Sequence, residues 1–555
     1  MEKVEEQKKM IRGGDVLIKC LLEESVTKIF GIIGGQLLTV YDAVYSWGRE
    51  KGIDTVMFRH EQAAAHAADA WARVTNTPGV CMGTVGPGAT HLVPGVGAAW
   101  GDNIPMIAIV AQVKTQEADK FALQGGIDQI TMFKPITKYQ KSVRKVENIP
   151  DAVHKAFREA TGGRPRPVLL EFYEDALTGK IEEEKVKILT KNQYRSVEKP
   201  GVNPQLIKES LDMLLNAKSP LIISGGGVSR AEGWNELQEF AEYLQIPVIT
   251  TVQGIGTISS QSKCHLGTTM RMFMSMARNA DVILSLGCKF SFIMEYGSEP
   301  TWNDSQKMIQ VDIDPAMIGR EKPVTIGIVG DCKMFLTQIL NEVKNKKRIE
   351  KREWLENLSA TKKLTLTALK NMASSDTTPI DPFRMIKEVL DFIDEDAILI
   401  IDGGNVVYNT HAILHLYDRK PLSTLHSLCM GHLGTSIPYG IGAKLAKPEK
   451  QVVSISGDGF FMINIQELET AVRLGLKNLI YVIANNSAHG MIKDVQQSIF
   501  KNRTIDVDFP DFDHSKLAEA FGCYGESVSD PNEIKNALQR AKNSGKPAVI
   551  DVKIR

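Results

Sequence analysis

The residues best equipped for chemistry lie in 457–486, GDGFFMINIQELETAVRLGLKNLIYVIANN. The pattern is a β-rich run ending in Gly-Asp-Gly, a helical stretch, a second β-rich run and then Asn-Asn. Parallel strands of an open α/β sheet end at one crevice, so Asp458 is expected to meet Asn485 or Asn486 there. One carboxylate, one amide oxygen and a backbone carbonyl make a hard, incomplete oxygen set, which suits Mg²⁺ when phosphate oxygens complete the shell. Gly457 and Gly459 let the main chain approach those phosphates, and the helix N-terminus that follows favours their charge. Alone, Gly-Asp-Gly is an ordinary turn; Asn-Asn closing the next strand gives it chemical meaning.

A second group starts at 58–73, FRHEQAAAHAADAWAR, where Glu61 stands between a buried strand and an Ala-rich helix. A lone Glu at a helix N-terminus is a surface residue favoured by the dipole. Beside a phosphate and metal motif, Glu61 becomes a candidate acid–base group pointing into the crevice. Residues 83–97, GTVGPGATHLVPGVG, read as a glycine-rich turn that carries His91. Residues 402–405, DGGN, follow a strand and offer N–H groups plus an amide to a phosphate. In the middle of the chain Gly225, Gly226 and Gly227 follow one strand, while Asp312 and Asp314 end another. An acidic strand end opposite a glycine loop suits a ribose or nucleotide.

These groups need parallel sheets to bring them to strand ends, and the chain supplies the pattern. Short β-rich runs at 53–58, 106–111, 221–224, 247–251, 281–286, 308–313, 397–401, 451–456 and 479–484 alternate with helical stretches such as 62–73 and 465–474. In the latter, Ile465, Leu468 and Val472 share one face. Two polar stretches, 178–204 and 344–381, read as dividers between three blocks. Lysine and arginine balance aspartate and glutamate at 66 each in 555 residues, so no global field favours nucleic acid or an anionic membrane. The densest basic run, 344–352, reads as a solvated helix face. Seven scattered cysteines without a CxxC pair argue against zinc and a disulfide framework. With no signal peptide and no apolar run of spanning length, the expectation is a cytoplasmic protein that engages neither nucleic acid nor membrane.

Gly-Asp-Gly followed by Asn-Asn resembles the thiamine diphosphate binding motif. The whole chain resembles the thiamine diphosphate-dependent enzymes of the acetolactate synthase, benzaldehyde lyase, oxalyl-CoA decarboxylase and 2-hydroxyacyl-CoA lyase group. The resemblance implies an α/β fold of three open parallel-sheet domains: pyrimidine-binding at 1–180, central and nucleotide-binding-like at 200–345, pyrophosphate-binding at 375–555. It implies Asp458, Asn486 and the carbonyl of Ala488 as Mg²⁺ ligands. Gly404, Asn405, Leu433, Gly457, Gly459 and His489 join them against the cofactor. Leu433, within 426–443, stands where many relatives place Met, as an apolar wedge under the bent cofactor. Glu61 corresponds to the carboxylate that hydrogen-bonds the aminopyrimidine and favours the imino tautomer, whose 4′-nitrogen removes the thiazolium C2 proton. His91 and Gln124 are the other catalytic candidates, with Gln124 facing the partner subunit's cofactor. Arg164, Gly226, Gly227, Asp312 and Asp331 are implied for a nucleotide. ADP or an empty domain is expected ahead of FAD, because 267–273 and 288–297 depart from the flavin pattern.

The implied reaction makes or breaks a carbon–carbon bond next to a carbonyl, in a homotetramer with sites at dimer interfaces. His91, GIDQ at 126–129 and residues 288–297 favour a 2-hydroxyacyl-CoA lyase-like or benzaldehyde lyase-like enzyme, with a CoA thioester as one substrate class. Against the CoA-using branch, the chain stops at 551–555 without an extended tail. Acetolactate synthase, converting pyruvate to acetolactate, is the alternative. QELETAVRLGLKNL and the spacing of Asn485, Asn486, Gly490 and Met491 support it, while 402–409 lacks the expected Trp. A non-catalytic thiamine diphosphate or nucleotide-binding protein is the third reading, opposed by the intact Glu61, Asp458 and Asn486.

Overall fold

The computed structural model describes residues 8–269 and 274–555. Three six-stranded sheets organise it, and every strand pair within them is parallel. The first holds β1 (Lys28–Gly31), β2 (Asp54–Met57), β3 (Gly79–Gly83), β4 (Met106–Gln112), β5 (Gln140–Val143) and β6 (Pro167–Tyr173), in the order β2-β1-β3-β4-β6-β5. The second holds β7 (Pro220–Ser224), β8 (Val248–Thr250), β9 (His265–Thr268), β10 (Val282–Leu286), β11 (Lys307–Asp312) and β12 (Ile326–Val329), in the order β9-β8-β7-β10-β11-β12. This is the doubly wound 3-2-1-4-5-6 arrangement. The third holds β13 (Ile398–Asp402), β14 (Thr424–Leu425), β15 (Val452–Gly457), β16 (Leu479–Asn485), β17 (Tyr524–Val528) and β18 (Ala548–Lys553). Its order, β14-β13-β15-β16-β18-β17, repeats that of the first sheet. The fold class expected from the sequence, three open parallel-sheet α/β domains, is the one adopted.

Five helices carry the chemistry: α1 (Glu61–Thr75), α2 (Pro87–Asp102), α3 (Ser436–Ala446), the short α4 (Asp458–Phe461) and α5 (Glu467–Arg473). The chain forms two compact units. One takes in residues up to Val197 together with Ser427–Pro448 and Ile463–Leu476; the other takes in Glu198–His426, Glu449–Met462 and Lys477–Arg555. The first sheet, α1, α2, α3 and α5 therefore share a unit. Their apolar runs explain the strands: every residue of β4, MIAIVAQ, is buried, as expected of a strand covered on both faces.

Several local expectations need correction. Residues 83–97 are mostly not a turn, because α2 begins at Pro87. Proline at the first turn pre-sets the helical φ and sacrifices no hydrogen bond there. The glycines serve packing instead: a Cβ at Gly95 would come within 2.4 Å of the Ala65 side chain on α1. The basic run 344–352 is not a helix face. It joins the helices Cys332–Val343 and Glu353–Met372, and clustered like charges disfavour a continuous helix through it. Arg352 instead donates to the carbonyl of Ala217 at 2.9 Å. The polar stretches 178–204 and 344–381 lie between the three sheets, and both carry structure of their own. Lys180–Glu182 pairs antiparallel with Met10–Arg12, and Leu355, Leu358 and Leu369 of the helix Glu353–Met372 are buried. Part of the flavin-pattern segment 267–273 lies outside the described residues.

Candidate active site

The site candidates fall into one group in each unit. In the first unit, β2 delivers the chain to His60, which caps α1 by accepting from the Gln62 N–H through Nδ1 at 3.1 Å. Glu61 is thus the first helical residue, and it is buried, 7% exposed. Its Oε2 lies 3.1 Å from Nδ1 of His91 on α2, and the rings of His91 and His60 stack with centroids 4.4 Å apart. Burial, reinforced by His91, holds His60 below the usual imidazole range.

The turn before Glu61 is fixed by a carboxylate that the sequence reading passed over. Glu467 on α5 is fully buried and accepts the main-chain N–H groups of Arg59 (3.1 Å) and His60 (3.0 Å) and the Thr470 hydroxyl (2.7 Å). Burial pushes its carboxyl up, and these donors pull it back. Gln129, the last residue of GIDQ at 126–129, is fully buried. Its Oε1 accepts the Gly86 N–H at 2.9 Å and its Nε2 donates to Glu171 at 2.9 Å, fixing the turn that leads into α2. Gln124 is exposed on the loop before it, at φ 63°. Leu433 is 41% exposed, on the irregular segment leading into α3.

In the second unit, β13 and β15 lie side by side where the strand order reverses, the place such sheets use for ligands. Asp458 follows β15 and is 4% exposed; its Oδ1 accepts the Gly459 N–H at 2.7 Å. Its Oδ2 is buried without a hydrogen-bond partner among the described residues. Burial raises the Asp458 carboxyl, while the N–H groups of Gly459, Ser487 and Ala488 act against the shift. An orphaned carboxylate oxygen costs stability unless something outside the protein meets it.

The two asparagines separate cleanly. Asn485 is 2% exposed and spends its amide on Asp551, donating at 2.9 Å, and on the carbonyl of Phe512 at 3.2 Å. Asn486 is exposed. The next residues pair with 507–509: His489 N–H donates to Val507 (2.7 Å) and Phe509 N–H donates to Ser487 (2.8 Å). That pattern leaves the N–H and carbonyl of Ala488 outside the ladder. His489 packs edge-on against Phe509, with centroids 4.6 Å apart. Gly404 precedes the helix Asn405–Leu414, where Asn405 donates to Asp494 at 2.8 Å. A Cβ at Gly404 would meet Met491 at 2.8 Å. The donor set is therefore oxygen-rich and carries one uncompensated carboxylate oxygen, which fits a hard divalent ion bearing phosphate.

Among the nucleotide candidates, glycines approach main chain closely and aspartates accept main-chain N–H groups. Gly225 and Gly227 make room for the main chain of Gly287: a Cβ on Gly225 would lie 2.2 Å from its carbonyl oxygen and one on Gly227 2.6 Å from its Cα. Gly226 opens the helix Gly226–Ala231. Asp331 caps the helix Cys332–Val343, accepting from Lys333 and Met334 at 2.9 and 3.2 Å, and Asp312 accepts from the Asp314 N–H at 2.9 Å. Arg164 belongs to the other unit; its carbonyl accepts from Lys138 at 3.1 Å.

Three family models match along the chain: the thiamine pyrophosphate enzyme N-terminal TPP binding domain at 11–132, its central domain at 207–339 and its C-terminal TPP binding domain at 402–552. The chain is 35% identical to a probable acetolactate synthase large subunit of Methanococcus aeolicus and 36% identical to one of Methanocaldococcus jannaschii, in both cases over 98% of this chain and 92% of the relative. It is 33% identical to the acetolactate synthase isozyme 3 large subunit of Escherichia coli, over 96% of this chain and 92% of that one. With two buried carboxylates presented at strand ends and similarity running from end to end, the chain belongs to the family of thiamine diphosphate-dependent enzymes that includes the acetolactate synthases.

Proposed function

We propose that this enzyme is a carboligase of the acetolactate synthase type, joining two pyruvate molecules to acetolactate with loss of CO₂. Its support is the similarity to acetolactate synthase large subunits across 92% of their length. That reverses the order in which the sequence ranks the readings. The lyase-like reading stands second, kept by His91, whose ring meets Glu61.

In this reading thiamine diphosphate supplies, when bound, a carbon nucleophile and an electron sink. Asp458, Asn486 and the Ala488 carbonyl hold Mg²⁺, while Gly404, Asn405, Gly457, Gly459 and His489 receive the diphosphate. Glu61 hydrogen-bonds the aminopyrimidine ring and keeps a negative charge there; its burial excludes the water that would weaken the bond. Leu433 wedges the cofactor, His91 serves as a catalytic residue beside Glu61, and Gln124 faces the partner subunit's cofactor. The domains divide at 1–180, 200–345 and 375–555, and the assembly is a cytoplasmic homotetramer. No helix of the described residues is long and apolar enough to cross a membrane.

The deciding experiment is a mass-spectrometric turnover screen with thiamine diphosphate and Mg²⁺ against pyruvate, oxalyl-CoA, a 2-hydroxyacyl-CoA and an aromatic 2-hydroxyketone. Acetolactate from pyruvate is the expected product. Cleavage of a 2-hydroxyacyl-CoA with no acetolactate formed would hand the assignment to the lyase reading.

A further inference from the structure

Residues 428–434 form an irregular strap on the first unit, and it is held at both ends by buried polar groups. At one end Asp102, the last residue of α2, accepts the main-chain N–H groups of Leu428 and Cys429, each at 3.2 Å. The Asp102 side chain is fully buried and is itself gripped by Arg73 of α1 at 3.0 Å. Arg73 also pairs with Asp69 through two bonds, at 2.9 and 3.0 Å, and Asp69 accepts from the Tyr439 hydroxyl of α3. Burial opposes the charge on Arg73, yet Asp69, Tyr439 and Asp102 hold the guanidinium well above its usual range. At the other end Asn464 donates to the carbonyl of Gly434 at 2.7 Å. Between the clamps the strap lies on α2, where a Cβ at Gly101 would come within 3.1 Å of the Met430 nitrogen. The side chains it shows outward are Met430, 46% exposed, and Leu433, 41% exposed.

A buried ion array of this kind is expensive, and replacing it with apolar packing is often neutral or stabilising, so fold stability alone is a weak reason for it. Its geometry offers a better one. Asp102 holds two main-chain N–H groups, Arg73 holds Asp102, and Asn464 holds a main-chain carbonyl, so together they set the height of a segment with no secondary structure of its own. We propose that Asp102, Arg73 and Asn464 are positioning residues that hold the strap, and with it Leu433, at a fixed height before the cofactor arrives. The inference rests on the proposed function only in taking thiamine diphosphate as the group Leu433 meets. Preorganisation matters because a loop that must order on binding subtracts its ordering cost from the affinity.

Hydrogen exchange by mass spectrometry on the full chain without cofactor, paired with calorimetry of thiamine diphosphate plus Mg²⁺, tests this. Asp102→Asn keeps the shape and leaves Arg73 paired with Asp69. Gly101→Ala disturbs the strap by a methyl group and touches no charge. In both, amides of 428–434 should exchange about tenfold faster or more and cofactor affinity should fall by a similar factor, with other peptides exchanging as in wild type. Unchanged strap exchange, or a loosened strap with unchanged affinity, overturns the proposal. If Asp102→Asn speeds exchange throughout the chain, Gly101→Ala decides. Wild-type protein that binds no thiamine diphosphate would sink the proposed function instead, and strap exchange alone would then decide the clamps.

Discussion

Oε2 of Glu61 lies 3.1 Å from Nδ1 of His91, so the candidate acid–base carboxylate is already engaged by an imidazole. With a proton on Nδ1, His91 donates to Glu61. The second carboxylate oxygen faces Gly88, whose absent side chain keeps that approach open: a Cβ there would stand 3.4 Å from Oε1.

Glu61→Gln should fold and bind thiamine diphosphate and Mg²⁺ but lose most turnover. Glutamine can still hydrogen-bond the pyrimidine ring but cannot supply the charge that raises its basicity. The loss should be about 10²–10⁴ in rate, or roughly 2.7–5.4 kcal/mol. The same factor should appear in C2-proton exchange of bound cofactor, followed by quenched-flow NMR; exchange at the wild-type rate would remove Glu61 from its role.

Asp458→Ala should abolish thiamine diphosphate binding and leave the cofactor-free protein no less stable than wild type. The substitution removes a buried oxygen without a partner, which offsets the lost bond to the Gly459 N–H. Calorimetry and thermal melts check the two halves, and unchanged affinity would end the metal assignment.

Stability should fall with acid partly through His66. Burial lowers its pKa from 6.5 to about 3. The unfolded chain therefore takes up a proton that the folded chain refuses. The stability from the neutral ring is present above pH 6.5 and is lost as pH falls toward 3, by up to about 1.4 kcal/mol per pH unit. His265 is shifted in the same way and to the same value. The buried carboxyl of Glu467 is shifted upward and opposes the trend, so the readout is a difference. His66→Phe should flatten the pH dependence of unfolding in that window relative to wild type; parallel curves would contradict it.

The purified protein should release no FAD on denaturation. The space opened by Gly225 and Gly227 is filled by the backbone of Gly287, and Asp331 is spent on capping a helix. A yellow preparation would contradict this.

What the sequence discloses follows from the range of each interaction. Asp458 and Glu61 are legible because strand, turn and helix start are contiguous, so their neighbours announce them. Strand 479–485 is legible because burial on both faces leaves an unbroken apolar run. Glu467 is hidden: it sits in an ordinary helical pattern, and its meaning comes from N–H groups at Arg59 and His60, about 400 residues away in the chain. Asn485 and Asn486 look equivalent until β18 brings Asp551 against the first of them. The glycines of 83–97 mislead in the opposite direction. They break helices in isolation, but here Gly88, Gly95 and Gly97 lie inside one and give it close contacts, while Gly86 makes the turn before it.

The first unit is discontinuous in the chain, since Ser427–Pro448 and Ile463–Leu476 complete what the residues up to Val197 begin. During synthesis, then, the ribosome delivers Asp69, Arg73 and Asp102 long before it delivers Tyr439 and the strap. At about 5–20 residues per second, the roughly 280 residues between Val197 and Leu476 take about 15–55 s. Until Ser427–Pro448 emerges, the Ala-rich helix lacks α3, and the Arg73, Asp69 and Asp102 cluster lacks the Tyr439 hydroxyl. The unit closes only when nearly the whole polypeptide has emerged, so shortened messages or stalled translation should yield chains that chaperones retain rather than stable N-terminal fragments.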